Sequence, residues 1–230
     1  MKPIELIIPL LCAIPLLGCT QVPTKSHQTK NKNHEMTNIE PQNLDSCVIA
    51  GGCFWCMDAV YRRMVGIVNV ESGYSNGTVK NPTYKEVCSG NTGHAEVAKI
   101  YFDKTQTNYA QILEVFWRVH NPTTLNRQGN DIGTQYRSGI YFMNEEQERI
   151  ARASKQAVEE SGLWAADGKV VTEILPLNNY WPAEDYHQDY FANNPENQYC
   201  VYVVSEKVED RKSTRLNSSH VSESRMPSSA

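Results

Sequence analysis

Gly51-Gly52-Cys53-Phe54-Trp55-Cys56 is where residue types and spacing point most directly to chemistry. The run follows Cys47-Val48-Ile49-Ala50, an apolar stretch that reads as a buried strand. It leads into Phe54, Met57, Val60, Tyr61 and Met64, which recur at helical steps of three and four. A cysteine between strand and helix faces unpaired N–H groups and the positive end of the helix dipole. Both favour the thiolate, which is the nucleophilic form. The two glycines allow a sharp turn and leave the sulfur accessible. Together these features favour a reactive cysteine over an inert buried one. Cys53 and Cys56 also form a C-x-x-C pair on one face of the helix start, within reach of a disulfide, which suits redox work. A zinc half-site competes for the same spacing. It would need two more ligands from Cys88, His94 and Cys200, and the chain has no second C-x-x-C. No bound metal is expected.

The elements that must hold this turn follow from period and punctuation. Val65 to Tyr74, rich in Val and Ile, predicts a strand, and residues 75–93, with Gly, Asn, Pro and Ser, a long loop. Glu96 to Phe102 predicts a strand. Tyr109 to Val119 predicts an amphipathic helix with Ile112, Val115, Phe116 and Val119 on one face, ended by Asn121-Pro122. A polar loop over 121–138 leads to a strand over Gly139–Met143. Asn144 then caps a helix running to Ser161, with Gln147 completing a capping box and Gly162 as the stop. Val170 to Leu175 predicts a strand, Ala183 to Phe191 a short helix or turn, and Val201 to Val204 a last strand. The order predicts an α+β two-layer sandwich with long loops, and argues against a doubly wound parallel sheet.

The flanks differ from this domain. Residues 1–19 read as a signal peptide: Ile4 to Leu17 is apolar except for Glu5, too short to span a membrane, and ends in Leu16-Leu17-Gly18-Cys19. That ending is similar to a bacterial lipobox, which implies lipidation of Cys19 and an outer-membrane lipoprotein on the periplasmic side. Residues 20–44 are too polar to fold alone and read as a flexible tether. Residues 45–208 form the domain, and the Ser-rich stretch over 209–230 reads as a disordered or artefactual tail. A formal net charge of -4 with no Lys/Arg stripe gives no footprint for nucleic acid. Seven cysteines, an odd number at irregular spacings, argue against a disulfide scaffold.

Gly52-Cys53-Phe54-Trp55 resembles the signature of the A-type peptide methionine sulfoxide reductases. The resemblance continues through Asn81-Pro82-Thr83-Tyr84-Lys85-Glu86-Val87-Cys88-Ser89-Gly90 and Thr92-Gly93-His94-Ala95-Glu96. It extends to Phe116-Trp117-Arg118-Val119-His120-Asn121-Pro122-Thr123, then to Asn126-Arg127-Gln128-Gly129-Asn130-Asp131-Ile132-Gly133-Thr134-Gln135-Tyr136-Arg137-Ser138, and to Glu184-Asp185-Tyr186-His187-Gln188. It covers roughly residues 47–208, and several motifs in the right order make chance a poor explanation. It implies that family's fold, a ferredoxin-like two-layer sandwich. It also implies reduction of the S epimer of methionine sulfoxide, in proteins and free, as repair after oxidative stress.

The resemblance further implies residue roles. Cys53 matches the nucleophile and Glu96 the acid that protonates the sulfoxide oxygen. Tyr84 and Tyr136 match the hydroxyls that hold that oxygen, Asp131 a supporting residue, and Phe54 and Trp55 the walls that receive the S-methyl group. The set is chemically coherent: phenols donate to the oxygen while aromatic faces meet the methyl. The acid must stay protonated near neutral pH, which an aromatic pocket would achieve by desolvating it. Attack leaves a sulfenic acid that a second thiol converts to a disulfide. Cys56 and Cys200 are equal candidates for that thiol. Cys88 reads as structural, Cys47 as a buried apolar residue, Phe116 and Trp117 as core, and His187 as packing in preference to orienting the site.

No bound cofactor is expected, only an external thiol reductant such as thioredoxin or dithiothreitol. The expected partners are oxidised proteins and that reductant, with a monomeric enzyme touching the membrane only through its anchor. Two other readings stand beside this one: a thiol–disulfide oxidoreductase using Cys53 and Cys56, although Gly52 stands where such proteins carry Trp, and a non-catalytic surface lipoprotein.

Overall fold

A computed structural model describes residues 39–197. Among them are eight strands and five α-helices: β1 (Leu44–Gly51), α1 (Phe54–Tyr61), β2 (Ile67–Ser75), α2 (Tyr84–Cys88), β3 (Ala95–Asp103), α3 (Tyr109–Val119), β4 (Arg127–Gln128), β5 (Asp131–Ile132), β6 (Ser138–Phe142), α4 (Glu145–Ser161), β7 (Glu173–Pro176), β8 (Tyr180–Pro182) and α5 (Tyr190–Asn193). Cys19, Cys200, the strand expected over Val201–Val204, and both flanks beyond 39–197 lie outside the described residues.

Six strands form one sheet in the order β7-β6-β1-β3-β2-β8, antiparallel throughout except for the parallel β6–β7 pair. Its centre, β6-β1-β3-β2, is connected as β1-α1-β2-β3-α3-β6, which is the ferredoxin-like arrangement expected. The layers follow from period-two alternation. Cys47 and Ile49 of β1, with Ala98, Ile100 and Phe102 of β3, join Phe54, Met57 and Val60 of α1 and Ile112, Leu113 and Phe116 of α3 in the main core. Val48, Ala50, Ala95 and Val97 point the other way, where Tyr141, Leu177 and Tyr180 cover them. Each buried large apolar side chain contributes roughly 1.5–3 kcal/mol, so this double-sided burial fixes the β1–β3 register.

Helix α3 has the predicted bounds and carries a full capping box, Asn108 and Gln111 each serving the other's backbone N–H at 3.0 and 3.2 Å. In α4 the expected box is half made. Asn144 accepts from Gln147 N at 2.9 Å, but the Gln147 amide accepts from Met143 N at 3.0 Å and donates to Ser46 O at 2.8 Å. It thereby ties the helix start to β1.

The region 75–93 is not all loop, since α2 occupies Tyr84–Cys88 with a capping box between Thr83 and Glu86. The strand expected over Val170–Leu175 begins at Glu173, because Val171 N bonds Pro122 O at 2.8 Å and the Thr172 hydroxyl meets Ser138 Oγ at 2.7 Å instead. Strand β8 was not foreseen. The turn Pro41–Asn43 is held by Lys104 N to Asn43 O at 2.8 Å and leads straight into β1. No described helix is long and apolar enough to cross a membrane.

Candidate active site

Cys53 is the N-cap of α1, the hinge between the central strand β1 and the helix packed on it. The turn requires its glycines. Gly52 has φ +86°, and a Cβ there would lie 2.6 Å from Gln128 Cβ. Gln128 is held in place by its amide, which accepts from Asn121 N and donates to Asn121 O, both at 3.0 Å. At Gly51 a Cβ would meet Met57 Sδ at 2.9 Å. Cys53 is buried at 6% exposure, so the sulfur is less open than the two glycines suggest from the sequence.

Strand β3 brings Glu96 to the same place. On the helix-facing side of the sheet, its Oε2 accepts the Phe54 backbone N–H, the first of α1, at 3.1 Å. Burial raises its pKa to about 8, the Phe54 bond opposes that rise, and the nearby Asp131 and Cys56 add to it. The carboxyl is therefore largely protonated at neutral pH. It accepts through one oxygen while its proton can ride on the other.

Tyr84 and Tyr136 converge from α2 and from the 3-10 turn Thr134–Tyr136. Burial, and then for Tyr84 a bond to the Cys88 thiol and for Tyr136 the Glu96 charge, pushes both phenols well above their ordinary range, so both stay donors. Asp131 sits at the start of β5 in the small β4–β5 hairpin, near enough to raise the pKa of Glu96 and Tyr136 by its charge. Phe54 packs against Trp55, Tyr74 and Tyr84 with ring centroids 6.2, 5.9 and 6.5 Å away. The structure thus gathers Cys53, Glu96, Tyr84, Tyr136, Asp131, Phe54 and Trp55 at one end of the sheet.

Cys56 lies in the first turn of α1, fully buried, its N–H bonded to Cys53 O at 3.1 Å. Cys47 is buried as expected, with its thiol pKa pushed far up by burial. Cys88, expected to be structural, is instead exposed beside Tyr84. No three His, Cys, Asp or Glu groups among the described residues cluster as a metal site.

Three residues escaped the sequence reading or were misjudged by it. Glu184 accepts from Tyr84 N and from the Tyr74 hydroxyl, each at 2.9 Å, and so joins α2 to β2. His187 does more than pack, because its Nδ1 accepts from Trp55 Nε1 at 3.2 Å. Tyr190 stacks on Trp55 at 3.8 Å and 8°. The only available signal was their position within or just after Glu184-Asp185-Tyr186-His187-Gln188, which says nothing of partners.

A thiol set against an acid that is uncharged at neutral pH suits an enzyme that attacks one atom of a substrate while protonating its neighbour. Fold and site therefore define a thiol-based reductase on a ferredoxin-like sandwich. The family model for peptide methionine sulfoxide reductase matches residues 45–220. A peptide methionine sulfoxide reductase MsrA of Pasteurella multocida is 52% identical over 160 residues, covering 70% of this chain and 90% of that one. Its counterpart in Saccharolobus solfataricus is 50% identical over 165 residues, covering 72% and 91%. Among solved structures, reduced Mxr1 of Saccharomyces cerevisiae superposes with a TM-score of 0.65 at 34% identity, covering 70% of this chain and 92% of that one. Methionine sulfoxide reductase A of Corynebacterium diphtheriae gives 0.65 at 35%, covering 69% and 78%.

The chain belongs to the peptide methionine sulfoxide reductase family. It is an A-type enzyme that reduces the S epimer of methionine sulfoxide, which sets aside the thiol–disulfide oxidoreductase and binding-protein readings.

Proposed function

We propose that Cys53 is the nucleophile and Glu96 the acid of this reduction. The single observation that carries the assignment is that the buried Glu96 carboxyl accepts the N–H of Phe54, the residue next to Cys53 at the start of the helix. The sulfoxide oxygen accepts from Tyr84 and Tyr136, and the S-methyl group lies against Phe54 and Trp55. The Cys53 thiolate attacks the sulfoxide sulfur as Glu96 gives its proton to the oxygen. The substrate's sulfur–oxygen bond then breaks and its oxygen passes as hydroxyl to Cys53 Sγ, while the Sγ–sulfur bond formed in the attack breaks and returns its electron pair to the substrate, leaving methionine and Cys53 as a sulfenic acid.

The sulfenic acid condenses with the Cys56 thiol, releasing water and forming a disulfide. What supports Cys56 is its place one helical turn from Cys53, a separation that fits disulfide geometry. An external dithiol of thioredoxin type, or dithiothreitol, then takes up the disulfide. No bound cofactor enters this cycle.

Incubation with each epimer of dabsyl-methionine sulfoxide and dithiothreitol tests the assignment. The wild type should turn over the S epimer alone, and Cys53→Ser should abolish that turnover. Retained turnover in Cys53→Ser would remove the nucleophile assignment. Single turnover followed by mass mapping tests the second thiol. Cys56→Ser should leave the sulfenic acid untouched, whereas loss of the disulfide in Cys200→Ser instead would transfer the role to Cys200.

Export rests on the sequence of residues 1–19 and on Leu16-Leu17-Gly18-Cys19. The enzyme would be a lipoprotein on the periplasmic side, tethered by Cys19, and its reductant would have to be supplied through the membrane, since that compartment is oxidising. Radiolabelled palmitate should enter the full chain, and Cys19→Ser should stop it. Equal labelling of both would end this reading.

A further inference from the structure

Trp55 and His187 make a contact that no step of the reaction uses. The indole N–H donates to His187 Nδ1 at 3.2 Å. An indole nitrogen can only donate, so Nδ1 carries no proton, and a neutral ring must hold its proton on Nε2. Nε2 is buried and has no hydrogen-bond partner among the described residues; the nearest carboxylate oxygen, Glu184 Oε2, is 3.9 Å away. The imidazole is wedged by Phe54, Tyr84 and Tyr186, with ring centroids at 5.0, 4.4 and 4.2 Å. Burial lowers its pKa against the pull of the Glu184 charge, so the ring is neutral at neutral pH. The indole is held on one face by the stacked Tyr190, whose neighbour Asp189 pairs with Arg62 at 3.5 Å.

We propose that His187 is a positioning residue: as an Nε2-protonated imidazole it accepts the Trp55 N–H and fixes the indole as the wall that selects the substrate's S-methyl group. This rests on the reading of Trp55 as a wall of the pocket. The geometry demands an acceptor at one point, and side-chain length then separates the substitutions. In His187→Asn the amide oxygen reaches the place of Nδ1. In His187→Gln the amide reaches the place of Nε2, and in His187→Phe there is no acceptor at all. A residue that merely packs would be replaced best by Phe.

Steady-state kinetics with the S epimers of dabsyl-methionine sulfoxide and dabsyl-ethionine sulfoxide test this. In His187→Phe and His187→Gln, KM for the methyl substrate should rise about tenfold with kcat little changed, because the indole loses the acceptor that fixes it. The preference for methyl over ethyl should shrink, and His187→Asn should restore both. Phe performing as well as Asn would overturn the proposal, as would a loss confined to kcat. Trp55→Phe provides the separate control. If it leaves KM and the methyl preference unchanged, the wall reading fails whatever His187 does. If it raises KM, adding His187→Phe in that background should cost little more, even where His187→Phe alone weakens the fold. Independent, additive losses would count against the positioning role.

Discussion

Glu96 Oε2 accepts the backbone N–H of Phe54 at 3.1 Å, so the acid is tied to the first residue of the helix that Cys53 caps. One bond thus sets the distance between the proposed proton source and the proposed nucleophile, and it joins β3 to α1. Glu96→Gln keeps the acceptor for Phe54 and removes the proton, so it separates structure from chemistry. We expect kcat/KM to fall by about 10²–10⁴-fold with the fold intact.

The raised pKa of Glu96 also predicts a pH dependence. The acid works only when protonated, so kcat/KM should decline as pH rises through about 8. The same shift acts on stability. Between its ordinary value of 4.5 and about 8, the folded chain holds a proton that the unfolded chain has released. Stability from this group is full below the lower value and is lost as pH rises through the upper one. Urea unfolding at pH 5, 7 and 9 should show that decline in the wild type and a flatter profile in Glu96→Gln. Equal slopes in the two proteins would remove Glu96 as the source.

Tyr84 and Tyr136 reach the site from unconnected elements, yet both stay protonated well above neutral pH. If both donate to the sulfoxide oxygen, each Phe variant loses one donor while the other remains. Tyr84→Phe and Tyr136→Phe should each lower kcat by up to roughly 10²–10³-fold, and the double variant by more than either. Single-turnover rates of methionine formation check this. Unchanged rates in both variants would take the hydroxyls out of the chemistry.

The sequence carried the fold where period and punctuation agree. Ile112, Phe116 and Val119 mark the face that α3 buries, and Asn121-Pro122 marks its end. It failed where an element is short or where a side chain leaves its local pattern. Helix α2 is five residues long, and its Thr83–Glu86 box stands in a run of loop-forming residues, so the cap was present but the apolar run was not. Strand β8 is three residues on a sheet edge and ends in Pro182, which has no N–H to pair. Cys53 was legible from its local turn. Glu96 and the two tyrosines were legible only through family resemblance, because a strand carboxylate and loop phenols have no local mark. Glu184 and His187 act through partners about 100 and 132 positions away, Tyr84 and Trp55, which no spacing reveals.

Gln147 provides a stability test remote from the chemistry. Its amide serves Met143 N at 3.0 Å and Ser46 O at 2.8 Å while almost wholly buried. Gln147→Ala leaves two backbone groups without that partner, and should cost roughly 1–3 kcal/mol in urea unfolding. The values of kcat and KM should stay at wild-type levels. A large kcat loss would mean that α4 and β1 transmit strain to Cys53.

Gly52 couples the two concerns, since backbone and chemistry meet there. Its φ of +86° is a conformation that L side chains rarely adopt, and an added Cβ would lie 2.6 Å from Gln128 Cβ. Gln128 cannot yield cheaply, because its amide closes two bonds to the Asn121 backbone at 3.0 Å. Gly52→Ala should therefore strain the turn and push the 121–128 loop away from Cys53. The expected loss is roughly 1–3 kcal/mol of stability, with a fall in kcat/KM larger than the loss of folded protein explains. Gly52→Ala combined with Gln128→Ala separates the two causes: it removes the clash and leaves the positive φ. If the double variant recovers stability but not activity, Gln128 is needed to hold the Cys53 turn. If it recovers neither, the positive φ dominates, and the glycine is required by the backbone alone.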